Sequence, residues 1–418
     1  ERKWSSNMSD PGNVAWMLTS SALVLLMTPG LAFFYGGLVR GKNVISTMMY
    51  SYVAMGVVSV LWVLWGYSLA FGAGGDFIGN FDFIGFQNVS AESTDNGISP
   101  MLFAIFQMMF AIITPALITG AFAERFKFTT YIVFLFVWVT VVYVPVTHWV
   151  WAADGWIAGI GALDFAGGIV VHASAGIAAI IVARMVGSRR QVERGVEPHN
   201  VPYVLLGTGL LWFGWFGFNA GSGLLADSVA VTAFLVTNTS AAIAGLVWMV
   251  LEYQSTGRTS GVGFATGAIA GLASITPAAG FVGPMGAFGI GIIGSIAAYT
   301  TVKLMAKTRI DDALEVFAVH GVGGIWGSIA TGIFAVQQID ENGIMQNVGL
   351  IDGETGLLWA NFRAVIAVAA YSGIMTFIIL KILDVIPGLG LRVTSDQEDL
   401  GLDITLHGER GYVADGAD

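Results

Sequence analysis

Two histidines stand inside apolar stretches of this chain, and each follows an aspartate by the same interval. Asp164 precedes His172 in DFAGGIVVHASAG (164–176), and Asp312 precedes His320 in DALEVFAVH. A lone imidazole on an apolar helix is usually a satisfied core residue. Two at matching places carry a sharper meaning, because a neutral imidazole accepts a hydrogen bond at one nitrogen and donates at the other. Such a pair can line a pore or pass a proton. The aspartates read as helix caps, whose carboxylates take up the orphan N–H groups of a first turn. Asp164 adds a long-range pull on a cation. A third set is aromatic: Trp151, Phe106, Phe110 and the run Gly214-Trp-Phe-Gly-Phe218-Asn-Ala-Gly-Ser222. Taken locally, Trp at a membrane edge is an interfacial anchor and Phe at i and i+4 is packing.

The elements that must position these residues follow from composition. Of 418 residues, 55% are hydrophobic and only 11% charged, and the mean hydropathy is +0.74. Soluble domains carry about 25% charge, so the chain reads as a polytopic membrane protein. With no cysteine there is no disulfide framework or thiolate metal site, and the diffuse net charge of −10 excludes nucleic acid as a partner. Glycine, at 56 residues, suits helices that approach closely in a bilayer. Apolar runs long enough to cross predict eleven spans, near 13–37, 44–72, 99–122, 128–149, 166–187, 201–221, 229–253, 260–276, 284–306, 313–336 and 360–385. Residues 1–12 form an external N-terminal segment, 13–385 the eleven-helix membrane domain, and 386–418 a polar, acidic cytoplasmic tail too short to be an enzyme domain. The start Glu1-Arg2-Lys3-Trp4 reads either as residues added ahead of Met8 or as the remnant of a cleaved signal peptide.

Basic residues test the count. Arg40, Lys42, Arg125, Lys127, Arg184, Arg189, Arg190, Arg194, Arg258, Lys303, Lys307, Arg309, Lys381, Arg392 and Arg410 all fall after odd-numbered spans; only Arg2, Lys3 and Arg363 do not. Loops after even-numbered spans hold Asp76, Asp82, Glu92, Asp95, Asp154, Asp340 and Glu341 instead. The positive-inside rule therefore places the N-terminus outside and the C-terminus in the cytoplasm. The two Asp–His pairs fall in spans five and ten, and the word Ile-Thr-Pro-Ala recurs at 113–116 in span three and 275–278 in span eight. Both echoes link spans five apart, which run in opposite directions. This predicts an inverted repeat of five spans plus five, with an eleventh helix added and a site near the midplane.

In addition, the chain resembles the ammonium transporter family. The resemblance rests on GNVAW (12–16), FYGGLVRGKN (34–43), FAIITPALITGAFAER (110–125), DFAGGIVVHASAG (164–176), GWFGFNAGS (214–222), VFAVHGVGG (316–324) and GLDITLHGE (401–409). These words cover nearly the whole chain, in order. The resemblance implies that Trp151, Phe110 and Ser222, with Phe106 nearby, form an outer site that receives NH4+. It implies that Phe110 and Phe218 stack to close the pore, that Asp164 supports the site without touching substrate, and that His172 and His320 are the paired pore histidines. It further implies a homotrimer in the cell membrane with a pore in each subunit, nitrogen uptake as the role, methylammonium as an accepted analogue, and a cytoplasmic PII-type signalling protein that plugs the pore and couples to the tail.

The chemistry fits ammonium. A cation over an aromatic face gains about 0.5–2 kcal/mol, and a hydroxyl accepts its N–H. Carrying the intact ion through an apolar bore costs tens of kcal/mol on a Born argument. Deprotonation at the mouth and passage of NH3 resolve the mismatch, and potassium, which has no proton to lose, is stopped. A proton following along the histidine pair makes transport electrogenic. An electroneutral gas channel of the Rhesus type would use the same residues, and a sensor working with a separate signalling partner is the alternative from another class. No nucleophile–base pair or phosphate loop suggests an enzyme, and no cofactor is implied. Gly289-Ile-Gly-Ile-Ile-Gly294 matches a dinucleotide pattern but lies within an apolar span, without the preceding strand that motif needs.

Overall fold

The computed structural model of the chain describes residues 10–93, 97–192, 196–336, 338–339, 345–346 and 349–412. The sequence expectations for residues 1–9, and for Asp95, Arg194, Asp340 and Glu341, lie outside these. The described residues are almost wholly helical, apart from a short antiparallel pairing of Gln338–Ile339 with Met345–Gln346 and an isolated bridge between Phe126 and Arg392.

Among the described residues, ten helices are long and apolar enough to cross a membrane: α1 (Pro11–Leu38), α2 (Gly41–Phe71), α3 (Pro100–Phe122), α4 (Phe128–Gly159), α5 (Gly168–Val186), α6 (Val201–Gly223), α7 (Ser228–Thr256), α9 (Pro284–Met305), α10 (Phe317–Phe334) and α11 (Gly356–Val385). The predicted span at 260–276 is a helix as well, α8 (Gly261–Ile275), apolar but only 15 residues long. About 15 residues rise roughly 22 Å, short of the ~30 Å hydrocarbon core. Thr276, Pro277 and the turn after them extend its path, and Phe165 N–H donates to the Pro277 carbonyl there.

Local chemistry sets the helix starts. Asp10, Ser99, Asn200, Asp227 and Ser260 each accept a backbone N–H of the first turn from their side chains. Proline at the first or second position of α1, α3, α6 and α9 forgoes an N–H that would be an orphan anyway. The peripheral helices bear large exposed apolar side chains, among them Phe234, Leu246 and Val250 on α7, Phe288 and Ile293 on α9, and Ile366, Ile374 and Phe377 on α11. Such a band is incompatible with water and compatible with lipid. The inner helices α3 and α5 are instead buried for most of their length.

One end of the bundle gathers charge. The Arg40 guanidinium binds Glu124 at 2.9 Å, Arg189 reaches Glu124 at 3.3 Å and Asp311 at 2.9 Å, and Arg190 pairs with Asp399 at 2.9 Å. These pairs join the loops after α1, α3, α5 and α9 to the C-terminal segment, so these four basic loops share one end. Arg125 is fully buried there and donates to the carbonyls of Ala121, Ala123, Gly187 and Asp311. The C-terminal segment is folded onto this end. Helix α12 (Ser395–Leu400) is closed by a capping box, Asp403 takes the N–H groups of Ile45 and Ser46, and Asn43 takes that of Leu402.

Candidate functional site

The two histidines come from helices that cross at the centre of the bundle. A π-helical stretch, Gly168–Ala173, opens α5, and another, Phe317–Val322, opens α10; each carries its histidine. A π-turn widens the helix locally and turns a side chain off the regular face, and such turns recur at functional sites. The crossing is reciprocal. A Cβ built on Gly176 would lie 2.1 Å from the Cα of Gly321, and one built on Gly324 would lie 2.7 Å from the Cβ of His172. Each of these glycines stands four residues after its own histidine, so the small residues of both motifs let the backbones touch and bring the imidazoles together. The Nδ1 atoms of His172 and His320 are 3.3 Å apart and the rings nearly parallel, with centroids 5.2 Å apart. One Nδ1 donates and the other accepts. In neutral rings this leaves one Nε2 as donor and the other as acceptor.

A file of rings leads away from the pair toward the end opposite the charged one. Phe218 lies 6.0 Å from His172, Phe110 lies 4.3 Å from Phe218, and Trp151 stands edge-on to Phe110 at 5.8 Å. Phe106 packs on Phe110 at 4.9 Å. Phe110 and Phe218 are buried, at 1% and 0% exposure, and close the file. The Trp151 Nε1–H donates to the Asp164 carbonyl at 2.8 Å, which fixes the indole. The Asp164 carboxylate accepts from four amides, Gly167, Gly168, Ile169 and Val170. Glycine at 167 permits the φ of +106° that this turn adopts. The carboxylate is committed to the helix start, as the capping reading expects. Asp312 is a lighter cap, taking Phe317 N–H at 2.7 Å.

Ser222 is half-buried and donates its hydroxyl proton to the Phe218 carbonyl at 2.8 Å, so its oxygen lone pairs stay free to accept. It follows Gly221, where an added Cβ would lie 2.7 Å from the Cβ of Ser20 and 3.0 Å from the Phe106 ring. The sequence reading missed Trp215, which stacks on His172 at 5.5 Å and donates through Nε1 to Thr276. Its signal was its place three residues before Phe218 in the same aromatic run. Thr276 belongs to the Ile-Thr-Pro-Ala echo. Of the remaining histidines, His148, His199 and His407 lie apart from the file, the first held between the carbonyls of Ala70 and Gly75.

Beside the histidines is a void of about 10 Å³, lined by both imidazoles and otherwise by apolar or aromatic side chains that include Leu31, Ile113, Leu211 and Ile269. That is room for about one small molecule. His320 also borders a cavity of 390 Å³ that opens at the charged end. The small void thus lies alongside Phe218 and both imidazoles, and His320 stands between it and the wider chamber.

An apolar bundle with ten helices long enough to cross a membrane among the described residues defines a multi-pass membrane protein. The chain belongs to the Ammonium Transporter Family, whose model matches residues 15–412. A Bacillus subtilis protein named ammonium transporter is 46% identical over 404 residues, covering 96% of this chain and 98% of that one. Ammonium transporter Amt1 of Archaeoglobus fulgidus is 46% identical over 408 residues, covering 97% and 100%. The crystal structure of Saccharomyces cerevisiae Mep2 is similar with a TM-score of 0.87 at 38% identity, covering 93% of this chain and 91% of that one. A protein described as a sensor Amt protein is similar at 0.86 and 31% identity.

Proposed function

We propose that this chain moves ammonium across a cell membrane by stripping its proton at the outer mouth and conducting NH3 past His172 and His320. The observation that carries this reading is the file of rings Trp151–Phe110–Phe218–His172–His320, flanked at Phe218 and the imidazoles by the 10 Å³ void. The family membership and the names of its relatives supply the substrate. Trp151, Phe110 and Phe106 offer ring faces and edges to a cation, worth about 0.5–2 kcal/mol, and the Ser222 oxygen accepts an N–H. Asp164 holds the Trp151 side of the site in place through its backbone. Phe110 and Phe218 separate the mouth from the bore, so only a guest without charge goes further.

The proton follows along the imidazole pair, entering one ring as the Nδ1 contact hands its partner's proton on. The charged end is cytoplasmic, which puts the N-terminus outside. The reciprocal crossing of α5 and α10 supports the inverted five-plus-five repeat, with α11 added and α8 counted as a span. The assembly is a homotrimer in the plasma or inner membrane, with a PII-type protein as its cytoplasmic partner. Ammonium pulses on reconstituted vesicles test the reading. A sustained current without a potassium response is expected; uptake of ammonium with no charge movement replaces co-conduction with the electroneutral alternative, and no uptake at all leaves the sensor reading.

A further inference from the structure

The 390 Å³ cavity begins at His320 and is walled by apolar groups such as Phe34 and Ala318, yet two carboxylates, Asp312 and Glu315, stand in its lining. The other charged side chains there, Arg189 and Asp311, are bound to each other through 2.9 Å contacts. Asp312 spends Oδ2 on the Phe317 amide, while its Oδ1 is buried without a partner. The Glu315 carboxylate has no hydrogen bond or ion pair among the described residues, and its backbone is left-handed at φ +63°, uncommon for a glutamate. Above them His320 is 97% buried: it is 3% exposed, and its Nδ1 is taken by His172. Its Nε2 has no partner among the described residues. A ring nitrogen and a carboxylate, neither hydrogen-bonded among the described residues, therefore border one cavity that opens at the charged end.

We propose that Glu315 is the proton carrier at the inner mouth, taking the proton that leaves His320 and giving it to ammonia as the molecule enters the cavity. This rests on the co-conducted proton of the reading above. The His320 N–H bond breaks as an O–H bond forms on Glu315, and the ring returns to neutral. That O–H bond then breaks as a fourth N–H bond forms on ammonia, leaving a carboxylate beside an ammonium ion. One ammonia and one proton enter the cavity, one ammonium leaves, and both side chains end as they began. Asp312 is tied to the start of α10, so its free oxygen receives the cation rather than the proton.

The surroundings suit the task. Burial, and after it the charge of Asp312, lifts the Glu315 carboxyl to about 7, with Lys303 opposing. Burial lifts Asp312 to about 6 against the amides of Phe317 and Val316 and the charge of Arg125, while Asp311 pushes the same way as burial. Arg189 is occupied by Glu124 and Asp311. A carboxyl near neutrality both holds and releases a proton at working pH.

The test is the full chain in proteoliposomes, with ammonium-jump currents recorded at internal pH from about 6 to about 8, the range in which such a carboxyl titrates. Glu315→Gln is nearly isosteric at a side chain with no hydrogen-bond partner among the described residues, and its elution profile and melting temperature should match the parent. It is expected to lower the current about tenfold or more, general acid–base groups contributing 10²–10⁴, and to flatten its dependence on internal pH. Half-saturation by external ammonium should stay as in the parent, and Glu315→Asp should restore most of the current. A Glu315→Gln current equal to the parent's at every internal pH overturns the proposal while leaving the transport reading intact, as does a loss that Glu315→Asp fails to relieve. A parent that takes up ammonium without current overturns the co-conducted proton itself, and with it the source of the Glu315 proton.

Discussion

At the scale of single residues, function and structure divide cleanly between the paired groups. His172 and His320 make one polar contact each, to one another, whereas Asp164 makes four to the backbone. Replacing both histidines by leucine should leave the fold standing and lower ammonium flux or its selectivity over potassium. Transport indistinguishable from the parent in vesicles would reduce the pair to packing. Asp164→Ala is different in kind. It strands four amides at the start of α5, and with charge-assisted bonds contributing about 1.5–3 kcal/mol each, a loss of about 3 kcal/mol or more is expected, read as a lower melting temperature in detergent. Asp164→Asn, which keeps one acceptor oxygen, should lose less. Phe218→Ala opens the file next to His172, and potassium-driven current appearing in that variant would show that the rings are the charge filter.

At the scale of elements, the decisive contact is the crossing of α5 and α10. Gly176→Val drives a branched side chain into the Gly321 backbone, where even a Cβ would sit 2.1 Å from the Cα. Overpacking of this kind costs about 1–3 kcal/mol and separates the imidazoles, so transport should fall further than stability; a variant with parent-like rates would mean the crossing tolerates the shift. Much of this was legible in sequence, because the spacing from Asp to His to small residue recurs in both halves and each part has a distinct physical job. The π-turns were not, since nothing in GIVVHA or FAVHGV departs from ordinary helical composition. Trp215 was hidden for a related reason: in a run with Trp212, Phe213, Phe216 and Phe218, which ring faces inward depends on how α6 rotates against α1. Helix α8 read as a full span because Thr276 and Pro277 continue its apolar run past the last regular turn.

At the scale of the whole molecule, the ion-pair network fastens the C-terminal segment to the basic loops. Composition pointed to an acidic tail, but its anchorage by Asn43, Lys42 and Arg125 depends on contacts between residues hundreds of positions apart, which no local pattern reveals. Burial pushes the Glu124 carboxyl up, but its bond to Arg40 and the charges of Arg189 and Arg40 outweigh this and hold it below the usual 4.5. Asp311 is likewise held below 3.8 against burial by Arg189 and Arg125. Folded values below unfolded ones mean that these carboxylates stabilise the protein fully above about pH 5 and lose that contribution as pH falls through their folded values. Melting temperature should be flat from neutral pH down to about 5 and drop below it. Arg189→Ala leaves Glu124 with Arg40 and Asn43 but takes from Asp311 its hydrogen-bonded guanidinium, so the variant should melt lower at neutral pH and show a smaller, not absent, acid-dependent drop.

If ammonia passes through the small void beside the imidazoles, as proposed, its size has a kinetic consequence. With about 10 Å³ of free space, two travellers cannot overtake one another, and each waits for the one ahead to step out. Isotopic exchange between the two sides should therefore slow when the far compartment is loaded, since nitrogen arriving from there queues against the traffic, whereas a wide pore would let opposing streams ignore each other.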